Sequence, residues 1–548
     1  MTGNDITNSS DTTYGSTMIN FHHDPPLLKY IPEATLDIWL ASLTMNDSEG
    51  QLLFYSNGME IHNSEHAVLS GGDEIGYNSN WIDNSFILTN GHVETGGYKF
   101  NQLMSSVKIP NSNDEYLVLY LEHTNGVLSP LNSAFINMSG ENGLGIILEK
   151  DYELDIDSTT FSSLALCQHA NGRDWWLLLP NLDRSQFKRF LINPNGISYI
   201  GKQNHEFAIS EGGIGQTQFS PNGNYFAYNI ANRIFAGGAK IVVNDFDRCT
   251  GLLSNPRIDS LYANSLGNGI CFSPDSRFVY VTNDEFLHQY DLEAPDFFNS
   301  RYQIGIYNSN FTYEINGSTY PGGTLGYMFL APNNKIYMGG IGHYYHVINR
   351  PDKFRVASDF KQNSVFIPAF SYGDVPNFNT VRLGPIDGSA CDTLGIDNNP
   401  VARFRFELNG SNTLSLDFID LSYYRPETWL WDFGDGNTST EKYPTHTYSN
   451  QGIYDVCLTV SNENSSHTVC DTLNLGIVSS TDLDYDYEIS LFPNPMQEKL
   501  RIAFHNYFPS SASIRFYNTK GALIDYKKLS GRESLLNVSA MPEGIYLY

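Results

Sequence analysis

The chain has 548 residues, a formal net charge of −28, 17% charged residues and 14% aromatic residues. This length predicts two to four domains, and the abundance of Tyr, Phe and Gly favours short strands joined by turns, hence an all-β protein. The negative charge excludes nucleic acid and anionic membranes as favoured partners, because both attract basic surfaces.

Residues 1–16 are polar and lack periodicity, which predicts a disordered N-terminus. They contain neither the basic nor the apolar region of a secretory signal, so we expect another export route or a chain that starts downstream of its true beginning. No run of about 18 apolar residues occurs, and a membrane span is therefore not expected.

A strand–turn–strand pattern recurs between residues 17 and 385. Its clearest copies, each with a Pro-Asx turn before an alternating aromatic strand, are residues 218–228, 271–281 and 329–338. Weaker copies are residues 50–58, 114–120 and 173–179. A spacing of roughly 50–60 residues is typical of propeller blades. We therefore predict a β-propeller of six or seven blades, with seven preferred if residues 364–383 pair with the N-terminal strand.

The F-S-P-[ND] turns of these copies resemble the blades of WD40-like and lactonase-like propellers. Three phrases, at residues 169–176, 246–251 and 382–389, also resemble the N-terminal region of surface proteins from Bacteroidetes bacteria. The last phrase leads through a linker, residues 386–399, into the next domain. These resemblances imply a propeller on an exported protein and leave its chemistry open.

An aromatic strand and a Gly-Asp-Gly turn identify the next domain. Its motif comprises Trp431, Asp432, Phe433, Gly434, Asp435 and Gly436. The alternation of Trp429, Trp431 and Phe433 predicts a half-buried strand, and Asp-Gly favours a tight turn. With the strand at residues 452–460, the pattern resembles a PKD domain over residues 400–477. The resemblance implies an Ig-like β-sandwich of the kind found in extracellular proteins.

An acidic linker, residues 478–487, precedes a final segment, residues 488–548. The motif residues of this segment are Phe492, Pro493, Asn494, Pro495, Gly521 and Gly544. Their order resembles the C-terminal sorting domain of the type IX secretion system. The resemblance implies a small β-sandwich, the secretion machinery as a partner, and a secreted or outer-membrane surface-attached protein. The family's export signal and final basic strand do not occur here, so we expect both ends to be trimmed.

Four cysteines suggest two disulfides. A hairpin that turns at residues 463–464 places Cys457 opposite Cys470, and directly paired positions about 4.5–5.5 Å apart are within disulfide range. Cys249 and Cys271 flank one connection between blades and form a second expected pair. Such bonds fit an oxidising compartment outside the cytoplasm.

His169, Arg173 and Asp174 are the most concentrated polar group. In one loop-to-strand turn they would bind or protonate a substrate at the mouth of a propeller. The structural alternative, which we favour, is that Arg173 and Asp174 bind backbone groups at a blade corner while Trp175 and Trp176 fill the layer between blades.

Metal binding is a minor expectation, and the expected cofactor is none. Asp245 and Asp247 place two carboxylates on one face of a strand and would contribute to a Ca²⁺ site, although a solvated strand end is the simpler interpretation. Residues 22–24 (His-His-Asp) and the pair His343 and His346 lack the partner spacing of a zinc site.

These observations favour a binding or adhesion protein, in which the propeller faces an extracellular protein or polysaccharide and the PKD-like domain acts as a spacer. The alternatives are an exported propeller enzyme, either a lactonase or a glycan-active hydrolase or lyase, and a structural matrix component. The centre of the propeller distinguishes them. Convergent carboxylates or histidines there would favour an enzyme, whereas aromatic and amide side chains would favour binding.

Overall fold

The computed structural model divides the chain into two compact units, residues 1–475 and 476–548. The described residues are 16–21, 26–31, 34, 36, 38, 40–83, 85–87, 93–95, 97–98, 102–124, 127–155, 164–181, 184–205, 215–231, 239–261, 269–283, 285–315, 318–373, 375–377, 382–409, 414–475, 489–492, 499–504, 512–518, 523–529, 533–537 and 546–547. Strands dominate both units, which confirms the predicted all-β class.

The first unit begins with a hairpin and a short sheet. Its first elements are β1 (Ser16–Asn20), β2 (Leu27–Ile31), β3 (Leu43–Asn46), β4 (Leu52–Ser56), β5 (Ile61–Asn63), α1 (Ser79–Asp83), β6 (Ser85–Ile87) and β7 (Val93–Thr95). Strands β1 and β2 pair antiparallel as the N-terminal hairpin, β3 to β5 form blade 1, and β6 pairs with β7.

Four sheets of four strands follow in sequence order. Their strands are β8 (Met104–Lys108), β9 (Glu115–Thr124), β10 (Val127–Asn137), β11 (Ile146–Asp155), β12 (Ala165–Gln168), β13 (Trp175–Pro180), β14 (Gln186–Asn193), β15 (Gly196–Asn204), β16 (Thr217–Phe219), β17 (Tyr225–Ala231), β18 (Ala239–Asp247), β19 (Leu252–Leu261), β20 (Ile270–Phe272), β21 (Phe278–Thr282), β22 (Phe286–Asp291) and β23 (Tyr302–Ile306). We number these antiparallel sheets blades 2 to 5. A 3₁₀ turn (Glu141–Gly143) interrupts blade 2, and α2 (Phe297–Ser300) interrupts blade 5.

A fifth four-stranded sheet, blade 6, follows in the sequence. The remaining elements are β24 (Thr312–Ile315), β25 (Ser318–Pro321), β26 (Met328–Leu330), β27 (Ile336–Met338), β28 (Ile341–Ile348), a 3₁₀ turn (Arg355–Ser358) and β29 (Phe360–Tyr372). Strands β24 and β25 form a separate hairpin, and β26 to β29 form blade 6. The three clear sequence repeats supply the first two strands of blades 4, 5 and 6.

The serine of the repeated Ser-Pro-Asx turn organises the turn. In blade 4, Ser220 Oγ donates to Asn222 Oδ1 at 2.7 Å and accepts the Tyr225 backbone N–H at 2.9 Å. Ser273 forms the same two contacts in blade 5. The hydroxyl thus joins the turn to the start of the second strand, which explains why this motif precedes an alternating strand.

Apolar side chains pack between successive sheets. Blades 1 to 3 share one core, and further cores join blade 3 to 4, 4 to 5 and 5 to 6. Ile19 and Phe21 of the N-terminal hairpin pack on blade 6, while Ile31 shares a core with Tyr55 of blade 1. The sheets therefore close a ring, which is the architecture of a β-propeller.

The C-terminal end of the propeller also reaches its N-terminus. Ala369 N donates to Thr17 Oγ1 at 3.0 Å, and a parallel bridge joins Asn377 to Leu43. These contacts lie where the sequence predicted closure of the ring. The blade count of six or seven stays a prediction.

The rest of the first unit is a β-sandwich. Its strands are β30 (Phe404–Leu408), β31 (Ser415–Asp420), β32 (Thr428–Asp432), β33 (Thr438–Ser439), β34 (Thr445–Thr447), β35 (Ile453–Ser461) and β36 (Ser466–Asn474). One sheet has the order β30–β31–β34 and the other β33–β32–β35–β36. Trp431 and Phe433 are buried between the sheets, as their alternation predicted. Gly434 and Gly436 have φ values of 74° and 91°, which glycine adopts readily.

The structure contains the Cys457–Cys470 disulfide and corrects the other predicted pair. Cys457 and Cys470 are direct partners in the β35–β36 hairpin. The expected bond between Cys249 and Cys271 is wrong, because Cys249 bonds to Cys391, with 5.7 Å between their Cα atoms. Cys271 lies in β20 with its thiol buried between blades 5 and 6, whereas Cys249 lies beside the segment that leaves the propeller.

The described residues of the second unit form two three-stranded sheets. Its strands are β37 (Ile489–Phe492), β38 (Lys499–Phe504), β39 (Ala512–Asn518), β40 (Leu523–Leu529), β41 (Glu533–Asn537) and β42 (Tyr546–Leu547). Their orders are β37–β38–β41 and β40–β39–β42. Phe492 ends β37, while the other sorting-motif residues (Pro493, Asn494, Pro495, Gly521 and Gly544) lie outside the described residues.

Candidate functional site

The predicted polar turn of blade 3 is held together by its own side chains. Arg173 Nε donates to Asp174 Oδ1 at 2.7 Å, and Asn171 Nδ2 donates to Asp174 Oδ2 at 2.8 Å. His169 Nε2 lies 3.1 Å from the Cys249 carbonyl oxygen, and burial lowers the pKa of His169, which keeps it neutral at pH 7. Arg173 therefore binds a carboxylate rather than the backbone group we expected. A catalytic role for these residues stays a prediction.

The two tryptophans after this turn have the expected structural positions. Trp176 packs in the core between blades 3 and 4 and donates from Nε1 to the Arg248 carbonyl oxygen at 2.8 Å. Trp175 packs on the core shared by blades 1 to 3.

The candidate metal ligands each have protein partners. Asp245 accepts from Arg257 at 2.8 Å, and Asp247 accepts the Cys249 backbone N–H at 2.8 Å. His343 and His346 lie within hydrogen-bond distance of backbone carbonyl oxygens, and residues 22–24 lie outside the described residues. Within the part of the chain that the structure describes, no three acidic, His or Cys side chains could hold a metal together. The Ca²⁺ site stays a prediction.

A buried glutamine joins three blades at the inner strands of the propeller. Gln216 Nε2 donates to the Met328 carbonyl oxygen at 2.6 Å, while its Oε1 accepts the backbone N–H groups of Ile270 at 3.0 Å and Met328 at 3.1 Å. Gln216 is 2% exposed. One side chain thus satisfies three buried backbone groups of blades 5 and 6.

Further amides repeat this arrangement. Gln102 exchanges two hydrogen bonds of 2.7 Å with the backbone of Thr217, and Asn377 donates to the Met104 carbonyl oxygen at 2.6 Å. Among the described residues, the innermost part of the propeller therefore contains amides whose polar atoms bind backbone.

A cavity of about 1010 Å³ lies between the propeller and the β-sandwich of the first unit, and we call it the interdomain cavity. Its propeller wall includes the N-terminal hairpin, the β3–β4 turn, the end of β8 and the first turn of blade 6. Its sandwich wall includes Arg403 and residues 421–426. The aromatic side chains that line it are Phe21, Trp175, Phe329, Tyr345, Tyr423 and Tyr424.

Buried ion pairs fix the sandwich wall to the propeller. Lys335 of blade 6 lies 2.8 Å from Glu407 of β30, and their side chains are 9% and 17% exposed. Arg405 pairs with the same carboxylate and donates to the Asn333 carbonyl oxygen at 2.8 Å. Burial opposes ionisation of Glu407, but the two cations more than offset it and hold the pKa of Glu407 well below its ordinary value.

The segment between the two domains is also anchored. Ile386 N donates to the Ala170 carbonyl oxygen at 2.8 Å, and Asn398 Nδ2 donates to the Pro385 carbonyl oxygen at 3.0 Å. The Cys249–Cys391 disulfide joins this segment to blade 4. The predicted linker is therefore a bound connection, which keeps both walls of the cavity in place.

The sandwich wall contains two consecutive residues with left-handed backbone. Tyr424 and Arg425 have φ values of 62° and 54°. Bulky residues adopt this conformation at a cost of about 1–2 kcal/mol each. The Tyr424 ring packs on Tyr423 with 4.8 Å between centroids, and Arg425 pairs with Asp387 of the anchored segment. Contacts on both sides thus hold the loop that lines the cavity.

Sequence motifs did not indicate this cavity. Its basic side chains include Lys29, Lys108 and Arg382, which come from distant parts of the propeller sequence, and Arg403, which the docked sandwich adds. The sequence offers one indirect indication of a basic site: Lys and Arg are scarce, with 32 of them against 60 Asp and Glu, so a group of basic side chains stands out.

The molecule is thus a β-propeller with a docked Ig-like sandwich and a separate C-terminal β unit. Residues 398–477 match the PKD domain family, and residues 490–548 match the secretion system C-terminal sorting domain. The sorting domain directs export to the cell surface or the extracellular space. No helix among the described residues is long and apolar enough to span a membrane.

Curated relatives match only short stretches. The chain is 42% identical over 64 residues to the pre-pro-metalloprotease PrtV of Vibrio cholerae, covering 12% of this chain and 7% of that protein. It is 43% identical over 54 residues to a microbial collagenase of Vibrio alginolyticus, covering 10% of this chain and 7% of that protein. The chain therefore spans less than a tenth of the length of these relatives.

Two solved structures each cover a part of this chain. The PKD1 domain of the Vibrio cholerae metalloprotease PrtV is 37% identical and covers 14% of this chain and 99% of its own, with a TM-score of 0.13. A putative 6-phosphogluconolactonase from Bacteroides fragilis is 13% identical and covers 60% of this chain and 95% of its own, with a TM-score of 0.31.

Proposed function

We propose that this exported protein binds an extracellular polymer, a polysaccharide or a protein, in the interdomain cavity. The observation that carries the proposal is the cavity itself, which has a volume of about 1010 Å³ and walls from two domains. Ligand sites favour clefts between domains, where apolar and aromatic walls surround a few polar groups that orient the ligand. The PKD domain then forms half of the site, in addition to the spacer role predicted from sequence.

The chemistry of the cavity supports binding more than hydrolysis. Glycoside hydrolysis uses a pair of carboxylates on either side of the scissile bond. The described lining offers one, Asp47, and its Oδ1 accepts the backbone N–H groups of Glu49 at 2.9 Å and Gln51 at 2.8 Å. This carboxylate stabilises the β3–β4 turn, so a second catalytic group would have to come from elsewhere.

A filling substitution tests the proposal. Ser64 is an exposed turn residue in the lining, and Ser64→Trp adds bulk to the cavity without removing a core side chain. Glycan arrays and pull-downs with the full chain identify a ligand, and we expect Ser64→Trp to weaken its binding roughly tenfold. Asn195→Trp places the same ring on an exposed turn of blade 3 outside the lining and should leave affinity unchanged. If both variants weakened ligand binding equally, or if neither weakened it, the ligand would bind outside the cavity.

A further inference from the structure

The interdomain cavity is basic in an acidic protein. Among the described residues, five Lys and Arg side chains and one carboxylate line it, whereas the whole chain has 32 basic and 60 acidic residues. The basic side chains are Lys29, Lys108, Arg382, Arg403 and Arg425. This local reversal of the overall charge balance indicates a ligand with negative charge.

Three of these cations are available to a ligand. Arg425 pairs with Asp387, and the one lining carboxylate, Asp47, is engaged by its own turn. In contrast, no carboxylate of the described residues forms an ion pair with Lys29, Lys108 or Arg382. All three are exposed, so the cavity offers positive charge that the protein does not neutralise.

The two arginines from different domains lie close together. Burial, and next the positive charge of Arg382, lower the pKa of Arg403 below its ordinary value, while Tyr423 and the Glu49 carboxylate act in the opposite direction. Arg382 also stacks over the Tyr423 ring, with 4.6 Å between the guanidinium carbon and the ring centroid. Docking therefore holds two like charges near each other, and an anion between them relieves their repulsion. Planar guanidinium groups bind carboxylate and sulfate oxygens through paired hydrogen bonds.

The neutral part of the lining favours a sugar chain. The amide and hydroxyl side chains there include Asn20, Thr44, Asn46, Gln51, Ser64 and Asn222. Such groups both donate and accept hydrogen bonds, as sugar hydroxyls do. The tyrosines Tyr423 and Tyr424 add flat surfaces with a polar edge, on which a sugar ring packs.

We propose that the interdomain cavity binds an anionic polysaccharide, one that carries carboxylate or sulfate groups along a sugar chain. This inference rests on the proposed function and adds the charge class of the ligand. Arg382, Lys108 and Lys29 bind the anionic groups, and the aromatic and amide side chains contact the sugar rings between them.

The test measures binding of the full chain to polygalacturonate, chondroitin sulfate, neutral dextran and polyglutamate. We expect one or both anionic glycans to bind, and their relative affinities identify the anionic group. Arg382→Gln and Lys108→Gln should each weaken this binding roughly tenfold. Raising NaCl from about 0.05 to 0.5 M should weaken it as well.

Lys202→Gln is the matched control, because it removes the same charge from an exposed position of β15 outside the lining. A loss of affinity equal to that of Lys108→Gln would show a general charge effect and overturn the inference. Binding of dextran that Arg382→Gln does not change would overturn the anionic class and leave the proposed function intact. Binding of polyglutamate alone would identify a protein ligand instead. A cavity variant that binds every ligand as the wild type does would reject the cavity as the site.

Discussion

The centre of the propeller and the interdomain cavity both gather polar side chains from distant parts of the chain, yet they differ in what those side chains bind. In the centre, Gln216 and Gln102 use their amide atoms on backbone groups of other blades. In the cavity, Lys108 and Arg382 have no ion-pair partner among the described residues. Polar groups with internal partners stabilise the fold, whereas those without are available to a ligand.

The comparison also separates two ways of building a site. The centre arises from the repetition of blades, so its amides are part of closing the ring. The cavity arises from docking of a second domain, and its sandwich wall carries the cost of two left-handed residues, Tyr424 and Arg425. Strain of this kind persists where surrounding contacts impose it, and it is concentrated at functional sites.

The largest expected effect is a loss of stability when a side chain in the centre of the propeller is removed. Gln216→Ala removes three hydrogen bonds and leaves the backbone N–H groups of Ile270 and Met328 unsatisfied in a buried site. We expect the free energy of unfolding, measured by denaturant titration, to fall by about 3 kcal/mol. Gln218→Ala is the control, because Gln218 is only partly buried and makes a single bond to Met328, so its loss should cost less than about 1 kcal/mol. Similar losses in both variants would contradict the structural role of Gln216.

The next largest effect is expected at the docking contact. Glu407→Gln leaves Lys335 and Arg405 close together without their shared carboxylate. We expect a loss of about 2 kcal/mol in the stability of the docked domains, less than for a fully buried pair because water reaches part of this group. Ligand binding should weaken in parallel, since the cavity needs both walls.

Asp417→Asn provides the control for the docking contact. Asp417 pairs with Arg350 at 3.4 Å, and that arginine side chain is 48% exposed. An exposed pair contributes about 0–1 kcal/mol, so this variant should unfold and bind almost as the wild type does. If Glu407→Gln reduced stability and binding as little as Asp417→Asn, the ion pairs of Glu407 would not be what fixes the sandwich wall of the cavity.

Local sequence signals predicted local structure well. The Pro-Asx repeats became the first strands of blades 4 to 6, and in blades 4 and 5 a serine hydroxyl fixes the turn that follows the first strand. The Trp431 strand and the Cys457–Cys470 pairing followed from strand alternation and hairpin register, which depend on neighbours in sequence.

Long-range features could not be predicted in the same way. The Cys249–Cys391 bond spans 142 positions, and nothing near Cys249 distinguishes Cys391 from Cys271 as its partner. The cavity cations have no shared motif because they come from segments that are distant in sequence, three from the propeller side and the others from the docked sandwich. His169, Arg173 and Asp174 were singled out because polar residues are dense there, and the structure shows Asp174 bonded to Asn171 and Arg173 within the turn.

The smallest effect concerns the pH dependence of docking. Burial, and next the charge of Asp275, raise the pKa of Asp352 to about 7, while Lys442 of the sandwich opposes the rise. Asp352 also accepts the Asp275 backbone N–H at 2.9 Å. The folded protein thus binds a proton here that the unfolded chain has released, so stability should decline as pH rises from about 4 to 7.

Glu407 acts in the opposite direction, and the two groups together define an optimum. Its pKa is lowered on folding, so its contribution is present above about pH 4.5 and is lost as pH falls through the folded pKa. Docking should therefore be most stable between about pH 4 and 5. Calorimetric unfolding of Asp352→Asn across this range should lose the decline toward neutral pH, and Asp275→Asn should shift the decline to lower pH because it removes the like charge. If Asp352→Asn left the dependence of stability on pH unchanged, water would reach the docking contact and solvate its charges. The contact would then resemble the exposed cations of the cavity and differ from the buried amides of the centre.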